Sequence, residues 1–171
     1  MATFVITMIG DDRPGLLQAV SEPVSAHGAS WERSQLSRLA GRCAGIVQVS
    51  VPDDRVDALA ADLLALGGDG LQMVLQRVDE VAEPPSVQLH LDLLGADHPG
   101  IVAEISAALA GRGISIEEFV TEVREAPMAG GTLFAAQAVL RADPDLGTDS
   151  LRDLLEGLAD ELMVEIRLSD E

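Results

Sequence analysis

The 171-residue sequence predicts an α+β protein made of two tandem units, each a four-stranded antiparallel sheet with two helices on one face in the order β-α-β-β-α-β. Three observations predict this. Gly-Asp-Asp-Arg-Pro-Gly at residues 10–15 returns as Gly-Ala-Asp-His-Pro-Gly at 95–100, and the same offset superposes Ser21 on Ser106, Gly28 on Gly113, Ser30 on Ser115 and Glu32 on Glu117. Strand-like and helix-like hydrophobic periods alternate in the same order in both halves. Between the halves lies Asp79-Glu80-Val81-Ala82-Glu83-Pro84-Pro85, acidic and Pro-rich as a semi-rigid linker is. Two copies at so long a spacing are two small domains, not layers of a solenoid. The expected boundaries are a first domain over 1–80, a linker over 81–86 and a second domain over 87–171.

Each half opens with a short β-rich apolar run, residues 3–9 and 87–94, that ends in the repeated turn. Apolar residues at helical spacing come next: Leu16, Leu17, Val20 and Val24 in one copy, Ile101, Val102, Ile105 and Leu109 in the other. Asp12 and Asp97 stand where a side-chain cap is wanted, and Pro14 and Pro99 suit a first helical turn. Gly28 and Gly113 suit the helix ends, while Pro23 predicts a kink inside the first helix.

Second strands are expected at 29–39 and 114–125, and third strands at 44–51 and 132–141. The hairpin connection is short at Ala40 to Arg42 and longer at Ala126 to Gly131, which holds Pro127 and a Gly-Gly pair. Second helices carry the stripes Val56, Leu59, Leu63, Leu66 and Leu151, Leu154, Leu155, Leu158, with Asp53 and Thr148 as expected caps. Alternating apolar residues, Leu71, Met73 and Leu75, then Leu162, Val164, Ile166 and Leu168, make the last strand of each unit. The result is the ferredoxin-like split βαβ arrangement, twice.

Eleven Lys and Arg against 29 Asp and Glu give a formal charge of −18, which repels a phosphate backbone and excludes direct nucleic-acid binding. The single Cys43 cannot form an intrachain bridge and reads as a small core side chain, so a reducing cytoplasm is the expected compartment. No run of 18 apolar residues and no signal-peptide pattern is present, so neither a membrane nor an export route is expected. Units this small favour further packing, between copies or in a homodimer.

The repeated turn is the feature with chemistry. A helix start carries unsatisfied N–H groups and partial positive charge suited to a carboxylate, and Gly15 or Gly100 permits close approach to the backbone. Asp12 or Asp97 then offers a partner for an ammonium group. A zwitterion needs both signs close together. The same residues also describe a plain capped helix with tight helix-to-sheet packing, and the sequence leaves both readings open.

A β-α-β-β-α-β unit with Gly-x-Asp-x-Pro-Gly between its first strand and first helix resembles the ACT domain, the small regulatory module that senses amino acids. The likeness covers nearly the whole chain, and two such units with nothing appended resemble the glycine cleavage system transcriptional repressor group. The resemblance implies a non-catalytic sensor of a small amino acid, glycine or serine, that modulates a protein partner such as a DNA-binding regulator. It implies ligand-binding residues at Gly10, Asp12, Arg13, Pro14 and Gly15, and at Gly95, Asp97, His98, Pro99 and Gly100; Ser30, Glu32, Ser115 and Glu117, at the starts of the second strands, are expected near the same end of the sheet as further lining residues. Arg13 against His98 and Trp31 against Ile116 mark divergence between copies.

No catalytic residues, metal or cofactor are expected. His98 lacks a nucleophile nearby in sequence, and His90 with Asp92 supplies too few ligands to specify a metal. Gly67-Gly68-Asp69-Gly70 comes after a helix and before a strand, the reverse of a phosphate loop. The phosphoserine phosphatases and formyltetrahydrofolate deformylases that begin with similar units carry catalytic portions this sequence lacks. The rival to a sensor is a ligand-free ACT-like module that dimerises or sequesters a partner.

Overall fold

In the computed structural model, which describes residues 1–79, 84–126 and 130–169 and omits the side chains of Asp69 and Thr148, the chain divides into two compact units, 1–82 and 83–171. The Pro127 part of the second hairpin connection and most of the acidic stretch before Pro84 lie outside the described residues. The first unit runs β1 (Ala2–Asp11), α1 (Leu16–Ala26), β2 (Ser30–Leu39), β3 (Arg42–Val51), α2 (Val56–Ala65) and β4 (Gln72–Val78). The second runs β5 (Val87–Ala96), α3 (Ile101–Ala110), β6 (Ser115–Glu125), β7 (Thr132–Ala142), α4 (Thr148–Leu162) and β8 (Val164–Ser169). Their sheets have the orders β2-β3-β1-β4 and β6-β7-β5-β8, antiparallel at each pairing.

Alternation along the central strands sets the two faces of each sheet. In β1, Ala2, Ile6 and Met8 are buried against the helices while Thr7 and Ile9 are exposed, and β5 likewise buries Leu89, Leu91 and Leu93. The first core adds Leu16, Val20 and Val24 of α1 and Leu59 and Leu63 of α2 to Val47, Val49 and Val51 of β3. Ile101, Ile105 and Leu109 of α3 and Leu151, Leu155 and Leu158 of α4 do the same in the second. Each such fully buried leucine contributes about 2 kcal/mol. Leu17 and Val102, expected in the buried stripes, are instead 49% and 43% exposed: the buried positions of these helices, Leu16, Val20, Val24 and Ile101, Ile105, Leu109, recur every four residues and leave the next residue at the flank.

The local devices differ from expectation in several places. Helix α1 continues through Pro23 as one uninterrupted span, although the pyrrolidine has no N–H to return to the Ala19 carbonyl. Asp53 does not cap α2: it lies in a short 3₁₀ turn, and its carboxylate accepts from the Met1 ammonium at 2.8 Å. That hydrogen bond and charge hold the Asp53 carboxyl below its usual range. Thr148 is the first residue of α4, with Gly147 in the cap position. The first hairpin turns on Ala40 and Gly41, both at positive φ (49° and 77°), as a two-residue connection requires. Gly28 and Gly113 take positive φ at the helix ends, where Ala29 and Ile114 N–H groups return to Val24 and Leu109 carbonyls.

One edge strand of each sheet, β2 and β6, carries a bulge at the same place. The register of β2 on β3 shifts between Trp31 and Arg33, and that of β6 on β7 between Ile116 and Glu118, leaving Glu32 and Glu117 as the extra residues. Glu32 accepts from Gln48 at 3.1 Å, and Glu117 is ion-paired with Arg141 and accepts from Gln88 at 2.6 Å.

Candidate functional site

The two repeated turns leave the ends of the central strands β1 and β5 and enter α1 and α3. Gly15 (φ 84°, ψ 0°) and Gly100 (φ 94°, ψ −6°) occupy the cap positions in the left-handed region, where a Cβ costs about 1 kcal/mol or more. Pro14 and Pro99 precede them and so lie before the helix, not in its first turn.

Asp12 and Asp97 do not cap the helices, since no side chain accepts a bond from either start. The backbone explains this. Asp12 N–H still donates to Gly41 C=O (3.0 Å) and Asp97 N–H to Thr132 C=O (2.9 Å), so both residues remain tied to the neighbouring hairpin. Their carboxylates go to that hairpin as well: Asp12 Oδ2 is 2.7 Å from Arg38 Nε, and Asp97 Oδ2 accepts from the Thr132 hydroxyl at 3.3 Å. The two copies thus diverge chemically, a guanidinium in one and a neutral hydroxyl in the other.

The helix starts keep their donor character. Leu16 N–H reaches Arg13 C=O at 3.3 Å and Ala19 N–H reaches Gly15 C=O at 2.9 Å. In the second unit, Ile101 N–H bonds His98 C=O (3.3 Å) and Glu104 N–H bonds Gly100 C=O (3.0 Å). The intervening N–H groups have no intrahelical acceptor and no side-chain cap, which leaves partial positive charge at the surface. His98 lies with Nε2 3.7 Å from Glu104 Oε2 and Nδ1 3.2 Å from Pro99 C=O, while Arg13 is exposed.

Gly10 and Gly95 have a packing reason. A Cβ at Gly10 would stand 3.0 Å from Leu71 Cδ1, and one at Gly95 would stand 2.5 Å from Val164 Cγ1. Gly95 lets β8 close against β5, whereas Gly10 most closely meets the end of the flexible Leu71 side chain just before β4.

The expected lining residues Ser30, Glu32, Ser115 and Glu117 are not beside the turns. Ser30 pairs with Ser50, which lies opposite Thr3 at the start of β1, whereas the turn begins beyond Gly10 opposite Cys43. Ser115 likewise pairs with Arg141, which lies opposite Gln88 at the start of β5. The crossover helix carries the chain back down the sheet before β2 or β6 begins, so these four residues sit at the opposite end, about seven residues or 23 Å away. The residues that do flank the turns are Arg38, Gly41 and Thr132, at the far ends of the edge hairpins. Their only signal in the sequence is the antiparallel register itself.

Asp12 retains 32% side-chain exposure and Pro14, Gly15, Pro99 and Gly100 are exposed, so each turn is one open wall, not a closed cavity. Elsewhere, a cleft of about 380 Å³ between α1 and β2 is lined by Leu17, Val24, Trp31 and three serines. A shallow hollow of about 710 Å³ on the outer face of the second sheet is lined by both charge signs. Among the described residues, no group of three or more His, Cys, Asp or Glu is placed to hold a metal, and no helix is long and apolar enough to cross a membrane.

Residues 2–75 match the family model of the ACT domain. The glycine cleavage system transcriptional repressor of Escherichia coli is 28% identical over 126 residues, 71% of this chain and 65% of that protein, so the match spans less than two thirds of the relative's length. A phosphoserine phosphatase of Mycobacterium tuberculosis is 28% identical over 131 residues, 74% of this chain but 32% of the phosphatase. A crystal structure of an unknown protein from Galdieria sulphuraria has a TM-score of 0.84 at 29% identity and covers 99% of this chain and 98% of its own. Another, provisionally assigned as a glycine cleavage system transcriptional repressor, has a TM-score of 0.74 at 18% identity over 98% and 96% of the two chains, which speaks to fold alone.

Proposed function

We propose, because residues 2–75 match the ACT-domain family model and the second unit repeats the same fold, that this chain is a tandem ACT-domain protein like the glycine cleavage system transcriptional repressors, a non-catalytic regulator that binds a small amino acid at its repeated turns and thereby modulates a partner protein. The observation that carries this is the uncapped, glycine-started helix beside a carboxylate, present in both units. The first-turn N–H groups of α1 or α3 receive the ligand carboxylate, and the neighbouring Asp receives the ammonium. Glycine and serine are the favoured ligands through the likeness to the repressors. With a charge of −18 the chain acts on transcription through a DNA-binding protein, not on DNA itself.

The second copy is the better receptor. Arg38 already neutralises Asp12, so an ammonium group at the first turn must displace a guanidinium. At Asp97 the described partner is the Thr132 hydroxyl, which leaves the negative charge available. Because each turn forms one wall, the remainder of the site is supplied by another surface, and ligand that favours one arrangement of the two walls becomes the regulatory signal.

Isothermal titration with glycine, serine and the other amino acids tests this. Saturable binding of a small amino acid, lost in Asp97→Asn and kept in Asp12→Asn, supports the reading. No saturable binding by any amino acid, with an unchanged melting temperature across the panel, overturns it in favour of a ligand-free interaction module. Turnover of phosphoserine by the pure protein would contradict the non-catalytic part.

A further inference from the structure

The outer face of the first sheet is unlike the rest of this acidic protein. Residues opposite one another across a ladder share a face, so Thr7, Ile46 and Val74 form its central row and Ile9 stands in the next. Ile9, Ile46 and Val74 are 44%, 47% and 57% exposed. From Asp11, which is paired with Arg42 at one end, to Glu32 at the bulge near the other, that face carries no carboxylate, although 29 of the 171 residues are Asp or Glu. Its one charge between those limits is Arg33, on the outermost strand and so at the rim. The corresponding face of the second sheet carries Asp92, Glu122, Arg124, Glu165 and Arg167. The duplicated fold has therefore kept one open face charged throughout and one that is uncharged at its centre.

We propose that the open face of the first sheet is the interface of a homodimer, two copies meeting face to face about a two-fold axis near Thr7. Three physical points favour a second copy over another occupant. An isologous interface sets a patch against itself, so single-sign charge is excluded from its centre, whereas aliphatic side chains and amides such as Gln72 and Gln76, donors and acceptors at once, complement themselves. Two chains of −18 repel, and they approach most closely at least cost through a surface without carboxylates. The area suffices: four strands about 4.8 Å apart and up to ten residues long present roughly 550 Å² per copy, or about 1,100 Å² in total, near the lower bound of a specific interface. The two faces pack about 10 Å apart with strands within about 30° of parallel.

Sedimentation equilibrium of the full chain, with variants at exposed positions, tests this independently of any ligand. The wild type sediments as a dimer at tens of micromolar. Ile46→Glu combined with Val74→Asp weakens the dimer more than tenfold while the far-ultraviolet circular dichroism of the folded chain stays as in the wild type, and Val120→Asp on the second sheet's outer face leaves the dimer intact. A monomeric wild type, or a dimer that survives the double substitution, overturns the proposal. Loss of the dimer in Val120→Asp overturns it too, since the partner surface would then be the second unit of another copy.

Discussion

Gly45 in β3 offers a sharp test of how tightly the first sheet is built. It lies opposite Met8 on one side and Leu36 on the other, and a Cβ there would stand 2.1 Å from Gln35 C=O and 2.8 Å from both Cα and Cδ2 of Leu36. Two of these three atoms are backbone, so no rotamer change relieves the contact. A carbon needs about 3.3 Å from a carbonyl oxygen, so β2 must retreat by about 1 Å, stretching ladder bonds of about 2.9 Å beyond useful range. Overpacking of this kind costs about 1–3 kcal/mol, and one or two weakened ladder bonds add about 1 kcal/mol each. Gly45→Ala should therefore destabilise the first unit by about 3 kcal/mol, a fall in melting temperature on the order of 15 °C for a unit of this size. Trp31, the only tryptophan, packs on the first core, so its fluorescence during thermal unfolding reports that unit alone. A shift below about 3 °C would refute the geometry from which the cost is reckoned.

Other residues carry their own expected outcomes. Gly95→Ala should cost about 1–3 kcal/mol because its Cβ meets the β-branched Val164, while Gly10→Ala should cost less than about 1 kcal/mol because it meets the flexible end of Leu71; urea midpoints by circular dichroism compare them. Pro23→Ala should stabilise the first unit by about 1–2 kcal/mol in Trp31-monitored unfolding, since an N–H is restored to the Ala19 carbonyl in mid-helix. Leu155→Ala should destabilise the second core by about 2–5 kcal/mol, seen by circular dichroism as earlier loss of that unit's helix signal. Arg38→Ala removes an exposed ion pair, so urea unfolding should register less than about 1 kcal/mol, while amino-acid affinity at the first turn should rise.

Much of the fold was readable because the signals were redundant. Twelve elements are marked by period changes that occur twice, and glycines at 28 and 113 mark the helix ends by a backbone requirement that few other residues meet. The site was legible in part. Gly15 and Gly100 stand out as residues suited to the left-handed region, but Asp12 and Asp97 could be read as caps because sequence spacing does not say that their N–H groups remain bonded to the next hairpin. Ser30 and Glu32 were misplaced for a related reason: their distance from the turn depends on the direction in which α1 crosses the sheet, a tertiary fact. The repetition of Glu32 and Glu117 reflects shared bulges, which no two-residue period reveals.

Those bulges bear on how the chain tolerates changes of length. Past Trp31, every residue of β2 is displaced by one relative to its partner, and Glu32 alone is surplus to the ladder. Deleting Glu32 would remove the bulge yet leave Arg33 to Leu39 facing their present neighbours, whereas deleting a residue further along would turn the remaining side chains to the wrong side of the sheet. The same holds at Glu117, with the added loss of its pairing to Arg141. Strands β2 and β6 thus each have one position where a shorter version of the strand can arise without re-aiming the residues beyond it, and evolutionary gaps in this part of the chain should gather there.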